Sequence, residues 1–313
     1  MILPLSIAAF IASLLLLYIG SEKIVEAAKR LASSLNIHKV VVGTIFVASV
    51  TSAPEFFSSI IAALFSSSQM ALGNIIGSNI YNIPLIIGIC GLIGEFKMKN
   101  STINKECLFM IGLAALMMLL TIATGTVAWW TGIIFLAMYP AFIYYSIRKG
   151  SSNGNQTNET RGNITKPAAI MVLGGAALIA GTFLLVYSAI TMAEIFGLSQ
   201  FYAGLTIMAL GCVVPETAVS VAAALHGEQE ISIGNVIGDN IITITLVLGI
   251  VALIRSFTVP LQEILTTVPF IILVTLMLFA INKRSRKITR TWSMLMLAMA
   301  VAAFILETLN QIA

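Results

Sequence analysis

The chain has 313 residues, of which 58% are hydrophobic and only 10% are charged, and its mean hydropathy is +1.01. A soluble domain carries about a quarter charged residues, so this composition excludes an ordinary soluble globular protein. The net charge of +4 leaves nucleic-acid binding to be considered, and the placement of the basic residues decides that question below.

Ten apolar runs are long enough to cross a bilayer, which takes about 20 residues in a helix. Backbone polar groups in lipid must be paired within the chain, so the runs predict ten transmembrane helices in an all-α, polytopic membrane protein. A soluble bundle of ten buried helices is the alternative, but it would need polar helix faces that these runs lack. The runs are 2–21, 40–65, 70–94, 107–125, 127–147, 167–192, 200–225, 231–254, 259–281 and 291–311.

The basic residues divide the connecting loops into two classes. All but one of the 17 lysines and arginines lie in or beside the odd-numbered loops, and only Arg255 lies on the opposite side. The positive-inside rule then predicts a cell-membrane protein with cytoplasmic odd loops and both termini outside. The basic residues therefore determine topology, and we expect no nucleic-acid partner. The polar stretch 148–166 is predicted to be a cytoplasmic linker between two halves, 1–147 and 167–313.

The two halves contain an internal repeat. Residues 43–91 align with residues 204–252 at a constant offset of 161, without a gap. Pro54-Glu55 aligns with Pro215-Glu216, and Gly-Asn-x-Ile-Gly-x-Asn-Ile occurs in both copies. The copies lie on helices 2 and 3 and on helices 7 and 8, an offset of five helices. Because five is an odd number, the second copy is inserted in the opposite orientation. Two inverted five-helix repeats are typical of secondary transporters, whose substrate site lies near the bilayer midplane.

Three acidic residues lie deep within apolar runs: Glu55, Glu216 and Asp239. A carboxylate at that depth is costly and usually marks an ion or substrate path. The alternative is a structural acid that is paired or protonated, but the runs contain no lysine or arginine at that depth to pair with it.

Each of the two glutamates follows a proline, which lacks an N–H and clashes with the preceding helical turn. Pro54 and Pro215 therefore predict breaks in helices 2 and 7, with unpaired carbonyls at Val50 and Gly211. Carbonyls beside a carboxylate are hard oxygen ligands, which suit Ca²⁺ and also Na⁺. A simple proline kink for packing is the alternative.

A polar stripe runs along the helix that follows each Pro-Glu pair. Residues four apart share one helix face, and each stripe has three such members: Asn74, Ser78 and Asn82 in the first repeat, and Asn235, Asp239 and Thr243 in the second. Hydrogen bonding between helices is the alternative explanation for Asn74 and Asn235.

Signatures of other protein classes are absent from the sequence. There is no HExxH zinc motif, no G-x-S-x-G elbow and no Walker A loop, and the loops are too short for a nucleotide-binding domain. We therefore predict that the protein is not an enzyme and has no cofactor.

Four segments resemble the two α-repeats of the calcium/cation antiporter superfamily, and most closely its prokaryotic sodium/calcium exchanger branch. They are TSAPE (51–55), GNIIGSNIYN (73–82), VVPE (213–216) and GNVIGDNIIT (234–243). The resemblance implies a Ca²⁺ site on Glu55 and Glu216, completed by the carbonyls of Thr51 and Cys212. It also implies flanking sodium positions at Ser52, Ser78 and the carbonyls of Ala48 and Ala209, with Asn82 as a midplane polar residue. The expected partners are lipid and the transported ions only, with a monomer as the working form.

Two departures from the family pattern leave the counter-ion open. The second repeat reads CVVPE where the family has TSLPE, so Val213 lacks a hydroxyl. The second stripe has Asp239 followed by Thr243 where the family has Ser and then Asp, so the acid lies one turn earlier. An acid close to Glu216 would repel it and favour a shared proton. Exchange of Ca²⁺ for Na⁺ by sliding of one helix pair is the main prediction, H⁺-coupled exchange of Ca²⁺ or another divalent cation is the alternative, and a cation channel is the third possibility.

Overall fold

The computed structural model describes residues 2–35, 37–66, 68–94, 96–98, 102–151, 164–193, 209–258 and 261–312. Within them lie ten helices in chain order, which confirms the predicted all-helical polytopic fold. They are α1 (Ile2–Leu35), α2 in two parts, α2a (Lys39–Thr51) and α2b (53–66), α3 (68–93), α4 (Thr102–Thr124), α5 (Trp129–Ser151), α6 (Thr165–Ala193), α7 (Ala209–Leu225), α8 (Gln229–Ile254), α9 (Leu261–Arg284) and α10 (Arg290–Ile312).

Six helices in the described residues are apolar and long enough to cross a membrane by themselves, and the bent pair α2a and α2b adds a seventh. The six comprise the apolar parts of α3, α4, α5, α8, α9 and α10. In α6 and α7 the described apolar stretches are shorter, Thr165–Gly181 and Ala209–Leu225. The predicted start of the seventh run, 200–208, lies outside the described residues.

The first helix is longer than predicted, since it continues to Leu35 instead of ending near residue 21. Its extension is amphipathic: Ile24, Val25 and Leu31 are buried, while Arg30 lies on the exposed side and bonds Glu26 at 2.7 Å. Burial of one face therefore carries the helix past its apolar run. Helix α5 likewise continues to Ser151 and α6 begins at Thr165, so both extend into the predicted linker, whose residues 152–163 lie outside the described part.

Two short β-ribbons join the repeats, and the sequence analysis did not predict them. Strand β1 (Phe96–Lys97) pairs antiparallel with β4 (Lys287–Ile288), and β2 (Thr126–Val127) pairs antiparallel with β3 (Phe257–Thr258). The offset of 161 residues carries β1 onto β3 and β2 onto β4. Each ribbon therefore combines one strand from each repeat, and a pseudo-two-fold exchange of the repeats converts one ribbon into the other.

The helix contacts obey the same pseudo-two-fold relation. Helix α1 packs along α6, and α4 packs along α9, so each of these helices contacts its own counterpart. Helix α5 packs on α8, and α10 packs on α3, which are equivalent contacts exchanged between the repeats. The two inverted five-helix repeats predicted from the sequence are thus confirmed.

Loops of the same predicted side meet in space. Lys39, at the start of α2a, bonds Glu228 before α8 at 2.6 Å, and the backbone N–H of Lys97 donates to Gln229 Oε1 at 2.9 Å. The β1–β4 ribbon joins the third and ninth loops at this end, which we call the basic end, while the β2–β3 ribbon joins the fourth and eighth loops. The odd and even loops in these contacts are therefore separated, as the distribution of basic residues predicts.

Glycines bring α2a and α8 into backbone contact. A Cβ atom on Gly234 would lie 2.3 Å from the carbonyl oxygen of Val40, and one on Gly238 would lie 2.3 Å from that of Thr44. Small residues spaced four apart allow such close approach of membrane helices. This contact sets the register between α2a and the polar stripe of α8.

We expect Gly238→Ala to destabilise the protein by about 1–3 kcal/mol, because the new methyl group would overlap the backbone of Thr44. Thermal unfolding in detergent measures the change. Gly112→Ala is the matched control, since a Cβ there meets nothing within 4 Å and alanine favours a helix over glycine by up to about 1 kcal/mol. Equal unfolding temperatures for the two variants would show that the α2a–α8 contact tolerates a side chain.

Candidate cation site

Glu55, Glu216 and Asp239 meet at the interface between the repeats. One carboxylate oxygen from each lies within 4.8 Å of the other two, and all three residues are 0% exposed. Two of the acids come from the Pro-Glu segments and the third from the stripe on α8. The structure therefore brings together the three acids that the sequence analysis found deep within the apolar runs.

A break in the second helix positions Glu55. Helix α2a ends at Thr51, α2b begins at Ala53 with Pro54 in its first turn, and the two parts meet at an angle of 42°. Glu55 also lies in this first turn, where the positive end of the helix dipole favours negative charge. The predicted unpaired carbonyl at Val50 is wrong, because a backbone N–H of the turn donates to it.

The predicted break in the seventh helix is wrong. Helix α7 runs without interruption from Ala209 to Leu225, with Pro215 inside it. The two Pro-Glu positions differ in one side chain: the hydroxyl oxygen of Ser52 lies 2.6 Å from the carbonyl oxygen of Ala48, a contact that favours a bend. Its counterpart Val213 has no hydroxyl to make this bond. The unpaired carbonyl expected at Gly211 stays a prediction.

Hydrogen-bond donors hold Asp239 in place. The hydroxyl of Ser52 donates to its Oδ1 atom, and the amide of Asn82 donates to its Oδ2 atom at 2.5 Å. The same amide group reaches Oδ1 of Asn240 at 3.0 Å. Asp239 is thus fixed by side chains from α2 and α3, and it links both to α8.

The two glutamates differ from Asp239 in their surroundings. Both oxygens of Glu55 and both oxygens of Glu216 are buried without a hydrogen-bond partner, as is Oδ1 of Asn82. Buried polar groups are normally hydrogen-bonded, and an unpaired buried carboxylate is among the most expensive. These five oxygens are acceptors in need of a donor or a cation. Hard cations such as Ca²⁺ and Na⁺ bind through oxygen ligands of this kind.

The outer polar residues of the two stripes make equivalent contacts. Asn74 donates to Ser59 at 2.9 Å, and Asn235 donates to Ser220 at 3.1 Å, so the repeat offset relates both partners. These bonds fit the helix–helix explanation for the two asparagines.

The Thr51 and Cys212 side chains break the symmetry between the repeats. Thr51 donates to Oδ1 of Asn235 at 2.9 Å, but its counterpart Cys212 has its sulfur 3.6 Å from the Ser58 hydroxyl. Oδ1 of Asn74 consequently has no partner.

Several predicted ligands are occupied within their own helices. Ser78 donates to the carbonyl of Asn74 at 2.8 Å, and Thr243 donates to the carbonyl of Asp239 at 2.8 Å. The carbonyl oxygen of Ala48 lies 2.6 Å from the Ser52 hydroxyl and 3.3 Å from the Thr51 hydroxyl. Ala209 is buried at the first described position of α7. The ligand roles implied for these residues by the resemblance stay predictions.

Sequence reasoning missed two groups of residues near the site. Asn240 and the serines at 58, 59 and 220 bond the polar stripes, and the repeat alignment already contained a signal for three of them, because Asn79 matches Asn240 and Ser59 matches Ser220. Glu106 was also missed, because it immediately precedes the apolar run 107–125, yet it is only 3% exposed.

Buried carboxylates at the interface of inverted membrane repeats define a secondary cation transporter. The family described as sodium/calcium exchanger protein matches residues 5–148 and 166–308. The chain belongs to this family, a member of the calcium/cation antiporter superfamily.

Individual relatives cover most of the chain. The putative antiporter CaxA of Alkalimonas amylolytica is 35% identical over 76% of this chain and 77% of its own. The sodium/calcium exchanger MaX1 of Methanosarcina acetivorans is 28% identical over 91% of this chain and 93% of its own. A solved structure of the sodium-calcium exchanger NCX_Mj, soaked with 10 mM Na⁺ and zero Ca²⁺, superposes with a TM-score of 0.83 and 26% identity, covering 96% of this chain and 98% of that one.

We expect Glu55→Gln to raise the unfolding temperature of the cation-free protein at pH 8, because it removes one of three mutually repelling charges. The same change should abolish stabilisation by Ca²⁺, which for one site at 100 times Kd is about 2.7 kcal/mol. Thermal unfolding in detergent with Ca²⁺ or with a chelator measures both effects. Glu307→Gln, a change to a buried acid on α10, should match the wild type in both conditions. A Glu55→Gln protein that keeps its Ca²⁺ response would contradict this assignment.

Proposed function

We propose that this chain is a secondary antiporter that exchanges Ca²⁺ for Na⁺, with Glu55 and Glu216 as the central ligands. The observation that carries the proposal is the set of unpartnered oxygens on these two residues, buried within 4.8 Å of one another and of Asp239. The family name and the names of MaX1 and NCX_Mj support the choice of ions.

The two ions compete for the same carboxylates. A Ca²⁺ ion neutralises the repulsion between Glu55 and Glu216, and Na⁺ ions can do the same with their charge divided among more than one position. Because the carboxylates need cations in either case, the unloaded protein is the costly state. This cost couples departure of one ion to arrival of the other.

Alternating access follows from the packing of the helices. Helices α1 and α6 lie along each other and contact the site-bearing helices α2 and α7, while the two β-ribbons tie together the loops at the ends of α3, α4, α5, α8, α9 and α10. We propose that α1 and α6 slide as a pair against the ribbon-tied helices and open the site to each side in turn.

The sidedness of the membrane completes the proposal. We place the basic end in the cytoplasm because of the positive-inside rule, so the segment 148–166 is cytoplasmic and both termini are outside. The protein acts as a monomer with lipid as its surroundings, since each chain contributes all three acids of one site.

H⁺-coupled Ca²⁺ exchange is a second candidate, and the closeness of the three acids favours it. One oxygen from each lies within 4.8 Å of the other two, and the donors to both oxygens of Asp239 favour its charged form. A proton on one of the three would relieve their repulsion just as Na⁺ does.

The first experiment is uptake of ⁴⁵Ca²⁺ into proteoliposomes under an outward Na⁺ gradient and, separately, under an outward H⁺ gradient. We expect Na⁺ to drive uptake, and we expect Glu55→Gln and Glu216→Gln each to reduce it about 100-fold, because each removes a charged ligand. Glu307→Gln should transport like the wild type. Flux that needs neither gradient would indicate a channel, and Ca²⁺ transport that persists in Glu55→Gln would refute the site.

Asp239→Asn separates the two candidate counter-ions. An amide keeps the size of the side chain but neither carries the charge nor accepts a proton at neutral pH. We expect this variant to shift the Na⁺ or H⁺ concentration for half-maximal uptake by a factor about ten times larger than its shift in the Ca²⁺ concentration for half-maximal uptake. Unchanged Na⁺ and pH dependence in this variant would exclude Asp239 from counter-ion coupling.

A further inference from the structure

Glu106 on α4 is a buried acid outside the three-carboxylate site. It is 3% exposed, and its Oε2 atom has no hydrogen-bond partner. Its Oε1 atom lies 3.2 Å from the hydroxyl of Thr44 on α2a. No ion pair reaches Glu106 from the described part of the chain, so its charge is uncompensated there.

The Thr44 hydroxyl cannot satisfy this carboxyl group and its own helix together. The hydroxyl oxygen also lies 2.8 Å from the carbonyl oxygen of Val40, which is the shorter contact. A hydroxyl has one proton to donate. When that proton goes to Val40, the contact with Glu106 requires a proton on the carboxyl group or a cation between the two oxygens.

Two contacts place Glu106 one helical turn from the main site. Thr44 precedes Ala48 by one turn on α2a, and its backbone touches Gly238, where a Cβ atom would lie 2.6 Å from the Thr44 Cα. Gly238 immediately precedes Asp239 in the sequence. A helical turn rises about 5.4 Å, so Thr44 lies within about one turn of Asp239 along the helix axes.

The second contact runs through α4 itself. Met110 follows Glu106 by one turn, and its sulfur lies 3.7 Å from the amide nitrogen of Asn240. Asn240 accepts the amide of Asn82, which also donates to Asp239. Both routes therefore put Glu106 in the layer next to the site.

Glu106 lies on the side of the site that faces the basic end. It is close to the start of α4, which begins at Thr102 just after β1, and Thr44 follows Lys39 on α2a. An ion moving between the main site and the basic end passes this level of α2a, α4 and α8.

The ligands available there suit a monovalent cation. A Glu106 oxygen, the Thr44 hydroxyl and the Val40 carbonyl are three oxygens with one negative charge, whereas Ca²⁺ takes six to eight oxygens. We propose that Glu106 and Thr44 form a second cation position, between the main site and the basic end, that holds a single Na⁺ or proton during transport. This inference deepens the proposed exchange function and rests on it.

The helices that pack around this part of α4 carry other titratable or charged groups, and within the described residues none of them forms an ion pair with Glu106. They are Lys105 and Cys107 on α4, Lys39 on α2a, Glu230 and Asp239 on α8, and Lys283 and Arg284 on α9.

The test compares Glu106→Gln with the matched control Glu307→Gln in ⁴⁵Ca²⁺ uptake. One series varies Na⁺ at fixed pH, and another varies pH at fixed Na⁺. We expect Glu106→Gln either to raise the Na⁺ concentration for half-maximal uptake about tenfold, which identifies Na⁺, or to flatten the pH dependence, which identifies a proton. The Ca²⁺ concentration for half-maximal uptake should shift less, and Thr44→Val should move the same quantity as Glu106→Gln by a smaller factor.

Wild-type behaviour of Glu106→Gln in both series would overturn the inference, as would an equal shift in its Na⁺ and Ca²⁺ dependence. A parallel measurement does not require transport: thermal unfolding of the full chain in detergent, with NaCl or choline chloride, at two pH values. We expect Glu106→Gln to lose part of the stabilisation by Na⁺ or by acid that the wild type and Glu307→Gln show. Identical responses there would overturn the second position, whereas absence of gradient-driven uptake in the wild type would count against the exchange function alone.

Discussion

Mutual repulsion among Glu55, Glu216 and Asp239, at a fully buried position, is the constraint on which the rest of the molecule depends. The repulsion is strong because little solvent screens it, and it is relieved when a cation enters. The fold supplies donors to Asp239 through Ser52 and Asn82 but leaves the oxygens of the two glutamates without partners. The protein is therefore organised around an ion rather than around a completed hydrogen-bond network.

The inverted repeats place equivalent glutamates opposite each other, yet their surroundings are unequal. The first repeat has hydroxyls at Thr51 and Ser52, whereas the second has a thiol and an alkyl group at Cys212 and Val213. Asp239 occupies the position that Ser78 holds in the first repeat. Hydroxyl oxygens are thus concentrated on one side of the site and the extra charge on the other, although Ser52 brings the two into contact.

The sequence predicted the parts of the fold that repeat or that are long. Ten helices, their inversion and the two Pro-Glu positions could be read from apolar runs and an ungapped alignment. The break in α7 was predicted wrongly because a proline can lie inside a continuous membrane helix, as Pro215 does, whereas the bend in α2 lies at Ser52, which has a hydroxyl where α7 has Val213. The ribbons were not predicted because a strand of two residues is too short to show an alternating hydrophobic pattern. The bond between Ser52 and Asp239 depends on the register of α2a on α8. Gly234 and Gly238 permit this close packing, but a single sequence does not show which helix packs against these glycines.

The two ribbons connect the repeats at both membrane faces. Each ribbon pairs a strand of one repeat with a strand of the other, so the helices that it joins are held together at that face. Since the two ribbons are equivalent by symmetry, these connections favour neither direction of opening. Any preference for facing inward or outward must then arise from side chains that differ between the repeats, such as Ser52 against Val213, and from the ions that occupy the site.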